Sequence, residues 1–191
     1  RCGSLGRIRM MIAPAARIRV RAIAFDLDGT LLDTIHDLAT AINLMLARLN
    51  QPALPKDTIR VMVGKGMANL VRRALAAAQG SPPTPGDEAR ALALYETDYE
   101  RVLGRETVVF PGVREGLERL ASAGFGLACV TNKTSRFVRP HLDRAGLGAY
   151  FSLVVGGDTL EAKKPDPLPL QHAARHFCVA PDRLLMLGDS A

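Results

Sequence analysis

Residues 22–25 form an apolar run that stops abruptly at Asp26 and Asp28, two carboxylates with one residue between them, followed by Gly29 and Thr30. A short apolar run of this kind reads as a buried parallel strand. Open α/β sheets place their ligands at the carboxyl ends of their strands, which is where the two acids fall. In an extended segment residues i and i+2 face the same way, so Asp26 and Asp28 can address one substrate atom. A turn built only for structure needs one acid and the glycine; the second acid asks for chemistry.

The segment beyond the acids narrows the fold further. From Thr34 to Asn50, Leu38, Ala41, Ile42, Met45, Leu46 and Leu49 recur at helical spacing. Pro55-Lys56-Asp57 opens a second helix to about Met62, Gly64-Lys65-Gly66 interrupts, and a third runs to Gln79. Residues 80–86 read as loop and 87–103 as a fourth helix. Strand patterns return only at 108–110 and 126–131. A parallel crossover needs about a dozen residues, so residues 34–108 read as an all-helical insertion. The hinges fall at 31–33 and 105–111. Beyond Pro111-Gly112, helices (from 111, 135–145, 167–177) alternate with strands (126–131, 153–156, 184–187). The expected fold class is α/β, a Rossmann-like parallel sheet with helices on both faces.

Charge and cysteine usage exclude several functions. The excess of 25 Lys and Arg over 19 Asp and Glu comes from Arg1, Arg7, Arg9, Arg17, Arg19 and Arg21, in a stretch without acids. The remainder is neutral, so the net +6 describes a leader and no nucleic-acid-binding face. Residues 1–19 are expected to be a disordered tail or an over-extended reading frame, with Met10 or Met11 as candidate starts. An Arg-rich, acid-free segment also has the composition of a transit peptide. No apolar stretch approaches the ~20 residues of a membrane helix. Cys2, Cys129 and Cys178 are too scattered for a disulfide framework or a zinc site; buried or inert thiols in a reducing cytoplasm are expected.

The string Asp26-Leu27-Asp28-Gly29-Thr30-Leu31-Leu32-Asp33-Thr34 resembles motif I of the haloacid dehalogenase superfamily, in its phosphatase branch. Val130-Thr131-Asn132-Lys133 resembles motif II, Lys163-Lys164-Pro165-Asp166-Pro167 motif III, and Leu187-Gly188-Asp189-Ser190 the start of motif IV. Each stands at the carboxyl end of an expected strand, and in the superfamily's order. The resemblance implies that Asp26 is the nucleophile and Asp28 the general acid/base. Gly29, Thr131, Asn132 and Lys164 would hold phosphate, and Mg2+ would sit on Asp26, Asp189 and the Asp28 carbonyl. It implies a core of residues 20–33 and 109–191 with a helical cap at 34–108. Motif IV normally continues to a second acid beyond Ala191, so the chain reads as truncated there.

The chemistry fits the residue types. A carboxylate about 4 Å from a phosphate dianion meets roughly 8 kcal/mol of repulsion at an effective dielectric near 20. Cations and oriented donors must offset it, and Lys164 is the expected cation, with Lys163 a solvated neighbour. Asp28 must carry a proton when the leaving group departs, so its pKa is expected to rise. In the insertion, Lys65 or Arg60 meets a substrate carboxylate, or Gly64-Lys65-Gly66 is a flexible turn. His36 is expected at the surface.

Gly156-Gly157-Asp158-Thr159 and the Val63-Gly64-Lys65-Gly66 loop resemble the phosphoglycolate phosphatase family. This implies hydrolysis of 2-phosphoglycolate to glycolate and phosphate. Related sugar-phosphate phosphatases, such as those for N-acetylmuramic acid 6-phosphate, and an inactive fragment are the alternatives. The expected partner is a small phosphorylated metabolite, with neither nucleic acid nor membrane, and the expected state a monomer or weak homo-oligomer.

Overall fold

The computed structural model describes residues 19–189; the expectations for residues 1–18, Cys2 and Ser190 lie outside them. Strand β1 (Ala22–Phe25) is central in a parallel sheet of order β5-β4-β1-β6, with β4 Gly126–Val130, β5 Leu153–Val155 and β6 Leu184–Leu187. Phe25 pairs with Cys129 on one side and Leu187 on the other, so three strand ends stand level. Asp26, the Thr131 loop and Asp189 therefore start from the same edge.

Alternation along β1 separates two apolar layers. Ile23 and Phe25 join Leu117 of α5 (Val113–Ser122) and Val138 and Leu142 of α6 (Ser135–Arg144). Ala24 faces the other way, with Ala128, Val130, Val155 and Ala173 of α7 (Leu168–His176). Small residues on that face let α7 approach the sheet closely.

Between β1 and β4 come α1 (Ile35–Arg48), α2 (Lys56–Arg60), α3 (Met67–Gln79) and α4 (Pro85–Val102). The stripe expected on α1 is buried at Leu38, Ala41, Ile42, Met45 and Leu46, packed with Leu70, Val71, Leu75, Ala91, Tyr95 and Tyr99. Helix α2 is shorter than expected, its last residue Arg60 leading into a turn. Helix α4 begins two residues before the expected Asp87, because Thr84 and Asp87 form a reciprocal capping box and Pro85 occupies the first turn. The chain enters and leaves this helical layer through β2 (Leu32–Asp33) and β3 (Val108–Val109), which pair antiparallel. His36 is exposed, as expected, 3.2 Å from Lys56 Nζ. Cys129 is buried, which pushes its thiol pKa far up, whereas Cys178 is exposed just beyond α7. No described helix is long and apolar enough to cross a membrane.

Candidate active site

Asp26 is the first residue past β1, its backbone still tied to the sheet through Asp26 N–H donating to the Leu187 carbonyl at 2.8 Å. Its side chain is buried. The Leu27 N–H donates to Oδ1 at 2.8 Å, and Lys164 Nζ lies 2.7 Å from Oδ2. Both carboxylate oxygens are thus fixed before any substrate arrives, and the ammonium expected from the third motif is in place.

Asp28 carries a second cation that sequence reasoning gave no role. Lys133 Nζ donates to Asp28 Oδ1 at 2.9 Å and Oδ2 at 3.2 Å, and to the Tyr99 hydroxyl at 2.5 Å. Lysine is almost never buried unless paired, and Lys133 is only 7% exposed. This pairing corrects the expected rise in the Asp28 pKa. Burial pushes the carboxyl up, but the charge and hydrogen bond of Lys133, helped by His141 and Thr34, pull it down further. The net position lies below the ordinary value, so the ligand-free site holds Asp28 ionised.

Thr131 is buried at the end of β4, its N–H donating to the Val155 carbonyl and its hydroxyl accepting from the Lys133 N–H. The Asn132 side chain departs from expectation. Its Nδ2 donates to the carbonyls of Gly64 at 3.0 Å and Lys164 at 2.9 Å. Two carbonyl acceptors fix the amide's orientation, so the side-chain amide bridges loops, and only its backbone N–H remains for phosphate. Gly156 and Gly157 have no room for a side chain: a Cβ would stand 2.6 Å from Ser135 Cα and 2.3 Å from the Asn132 carbonyl. That close packing, with Asp158 accepting from the Ser135 N–H at 2.6 Å, braces the Thr131 loop.

On the other flank, Gly29 has φ 83°, and a Cβ there would lie 2.3 Å from Asp189 Oδ2. Only glycine lets Asp189 come this close to the first loop. The Asp189 N–H donates to Thr30 Oγ1 at 3.1 Å. Asp28, Gly29 and Asp189 line a cavity together with Arg60. Among the described residues no three His, Cys, Asp or Glu side chains cluster as a metal cage. A site of two carboxylates, one main-chain carbonyl and water does not require such a cage. Its oxygen-only donors are the kind that Mg2+ takes.

Facing the acids across a cavity of ≈ 40 Å³ is the helical layer: Leu38, Val63, Gly64, Gly66, Met67, Leu70, Tyr95 and Tyr99. Gly64 and Gly66 line it, but Lys65 is exposed, and its carbonyl accepts from Lys163 Nζ at 3.3 Å. Lys65 is therefore not brought to the acids; Arg60 reaches the neighbouring cavity. A further set of polar residues went unread in the sequence. Buried Asp37 accepts from the Gly104 N–H (2.7 Å), the Glu106 N–H (2.9 Å) and the Thr107 hydroxyl (2.6 Å). His141 Nε2 lies 2.7 Å from that hydroxyl. Since the hydroxyl proton goes to Asp37, Nε2 is the protonated nitrogen, and buried Nδ1 has no partner among the described residues. Burial first, and the Lys133 charge second, push the His141 pKa down to about 4.

A parallel sheet whose strand ends present a lysine-held carboxylate, with a second acid two residues on, defines a class. The chain belongs to the haloacid dehalogenase-like hydrolases, whose family model matches residues 23–191. Within that family it is a phosphatase by its likeness. It is 49% identical over 171 residues to a phosphoglycolate phosphatase of Nitrosospira multiformis, covering 90% of this chain and 75% of that one. It is 44% identical over 171 residues to the phosphoglycolate phosphatase of Thiobacillus denitrificans, with the same two coverages of 90% and 75%. A crystal structure of a predicted phosphoglycolate phosphatase from Haemophilus somnus superposes with a TM-score of 0.85 at 32% identity, over 90% of this chain and 77% of that one.

Proposed function

We propose that the protein hydrolyses 2-phosphoglycolate to glycolate and phosphate, with Asp26 as nucleophile and Asp28 as general acid/base. The observation that carries this reading is the pair of lysine-held carboxylates, Lys164 on Asp26 and Lys133 on Asp28, at one end of the sheet. An Asp26 oxygen attacks phosphorus, the phosphorus–ester oxygen bond breaks, and the departing alkoxide takes a proton that Asp28, ionised in the free site, binds from solvent when the substrate's negative charge arrives beside it. Asp28 then accepts a proton from water as that water hydrolyses the aspartyl-phosphate, returning Asp26 and releasing phosphate. Lys164 offsets the repulsion between nucleophile and phosphate. The Thr131 hydroxyl and the Asn132 backbone N–H supply phosphate donors, whereas the Gly29 N–H is already committed to the Leu32 carbonyl at 2.9 Å.

Mg2+ would be held by the carboxylates of Asp26 and Asp189 and the carbonyl of Asp28, and would neutralise charge on the transferring phosphoryl group. Residues 34–108 act as a cap on a core of 20–33 and 109–191. The cavity between the acids and the helical layer has room for only a few water-sized groups, which favours a short leaving group over a sugar.

The test is phosphate release by the full-length gene product from 2-phosphoglycolate and from N-acetylmuramic acid 6-phosphate, with Mg2+ and with EDTA. Higher kcat/KM on 2-phosphoglycolate, loss with EDTA, and a fall of roughly a thousandfold or more in Asp26→Asn are expected. Preference for the sugar ester would overturn the substrate assignment. A phospho-enzyme that persists in Asp26→Asn would overturn that of the nucleophile.

A further inference from the structure

We propose that Lys133 is the receptor for the substrate's carboxylate and that Tyr99 holds it in place. This rests on the phosphoglycolate reading and adds to it the residue that selects an acid-bearing leaving group. Three observations lead there.

The first is position. Among the described residues that line the cavity between the acids and the helical layer, Lys133 is the sole lysine or arginine; Lys65, Arg60 and Lys163 are not part of that lining. The second is its link to the reacting atoms. Asp28 hands its proton to the ester oxygen, so that oxygen must come within hydrogen-bond reach of Asp28, itself 2.9 Å from Lys133 Nζ. In 2-phosphoglycolate one methylene separates the ester oxygen from the carboxylate carbon. A leaving group seated against Asp28 therefore brings its carboxylate to the Lys133 ammonium without stretching.

The third is the surrounding donor set. Tyr99 accepts from Lys133 through its hydroxyl oxygen and retains its own O–H as a donor. Burial pushes the hydroxyl pKa of both Tyr95 and Tyr99 well up, so neither phenol becomes an anion that would repel a carboxylate. The two rings stack at 5.4 Å, and Phe137 packs edge-on to Tyr99 at 5.1 Å, so the hydroxyl that holds Lys133 stands on a rigid aromatic wall. The remaining wall residues from the helical layer, Leu38, Val63, Met67 and Leu70, are apolar and offer a carboxylate nothing. Lys133 belongs to the sheet layer and Tyr99 to α4, so this receptor is complete only when the helical layer sits on the sheet.

The experiment compares 2-phosphoglycolate with 2-hydroxyethyl phosphate, which has the same ester oxygen and a hydroxymethyl group where the substrate has its carboxylate. The ratio of kcat/KM for the two esters is measured in the full-length wild type, Lys133→Met and Tyr99→Phe. Losing Lys133 also removes the partner of Asp28, so both esters slow; the ratio isolates recognition of the carboxylate. In Lys133→Met the ratio falls roughly tenfold or more. In Tyr99→Phe it falls several-fold, through KM for 2-phosphoglycolate and with little change in kcat. Equal losses on the two esters in both variants would overturn the proposal while leaving the wild-type preference, and so the substrate reading, intact. A wild type indifferent to the carboxylate would overturn both. Tyr99→Phe leaves the lysine in place, so the comparison stands even if Lys133→Met folds poorly.

Discussion

Replacing Asp37 by alanine is predicted to be among the most damaging single changes outside the candidate site. Asp37 is 1% exposed and accepts hydrogen bonds from Gly104, Glu106 and Thr107. Hydrogen bonds to a charged group are worth about 1.5–3 kcal/mol each, so the gross loss is ~4–9 kcal/mol. Arg105 and Glu106 are exposed, so water can reach part of this stretch and the net loss is set at about 4 kcal/mol. For a chain of this size that lowers Tm by roughly 8–16 °C. Asp37→Asn keeps one acceptor for Gly104 and Thr107 but turns an amide N–H toward the Glu106 N–H, so about half the loss is expected. Urea unfolding of wild type and both variants measures this, and a double-mutant cycle with Thr107→Val isolates the shared bond. A loss below about 1 kcal/mol in Asp37→Ala would refute the assignment of Asp37 as the anchor of residues 104–107.

Other predictions concern the site and its surroundings. Lys164→Met removes the ammonium 2.7 Å from Asp26 and lowers kcat/KM by about a hundredfold or more; a loss under about tenfold contradicts the proposed charge compensation. Gly29→Ala forces a Cβ into positive φ and against the Asp189 carboxylate, which costs ~1–2 kcal/mol and shifts Asp189. Its Mg2+ activation constant rises, and an unchanged constant removes Asp189 from the metal site. His141 titrates near 4 when folded, against 6.5 ordinarily. Between these values the unfolded chain binds the extra proton, so stability is complete above about pH 6.5 and declines as pH falls toward 4, by roughly 3 kcal/mol. Urea unfolding at pH 7 and pH 4.5 reads this slope, and His141→Gln flattens it; an equal slope in the variant assigns the loss to other groups.

The sheet and the position of the acid pair at its edge were legible because their signals are local. An apolar run ending in Asp26, and a lysine preceding Pro165, announce themselves within a few residues. The apolar stripe of α1 was legible for the same reason. The start of α4 was also written locally, in Thr84-Pro85 followed by Asp87, a capping box that composition obscured in a stretch rich in Gly and Pro. The Lys133–Asp28 and Asp37–Thr107 pairs were not legible, because their partners lie 105 and 70 residues apart in sequence. Nothing near Lys133 distinguishes a buried lysine from a solvated one; only the arrival of Tyr99 from another layer does so. The Asn132 amide was misread for a related reason, since its carbonyl partners come from two distant loops.

The antiparallel pairing of Leu32–Asp33 with Val108–Val109 has a consequence for how the chain reaches its structure. Phe25 and Cys129 must meet in the sheet, yet about 100 residues separate them, a costly loop to close. The helical layer packs mainly within itself, α1 and α3 against α4, and can form before the sheet closes. Once formed, it holds Asp33 and Val108 side by side, and the effective loop between the two strands shrinks to about 25 residues, a reduction on the order of 1 kcal/mol in closure entropy. The segment that faces the acid-bearing edge of the sheet thus also acts as an internal template, bringing the strands that carry Asp26 and Thr131 within reach of each other.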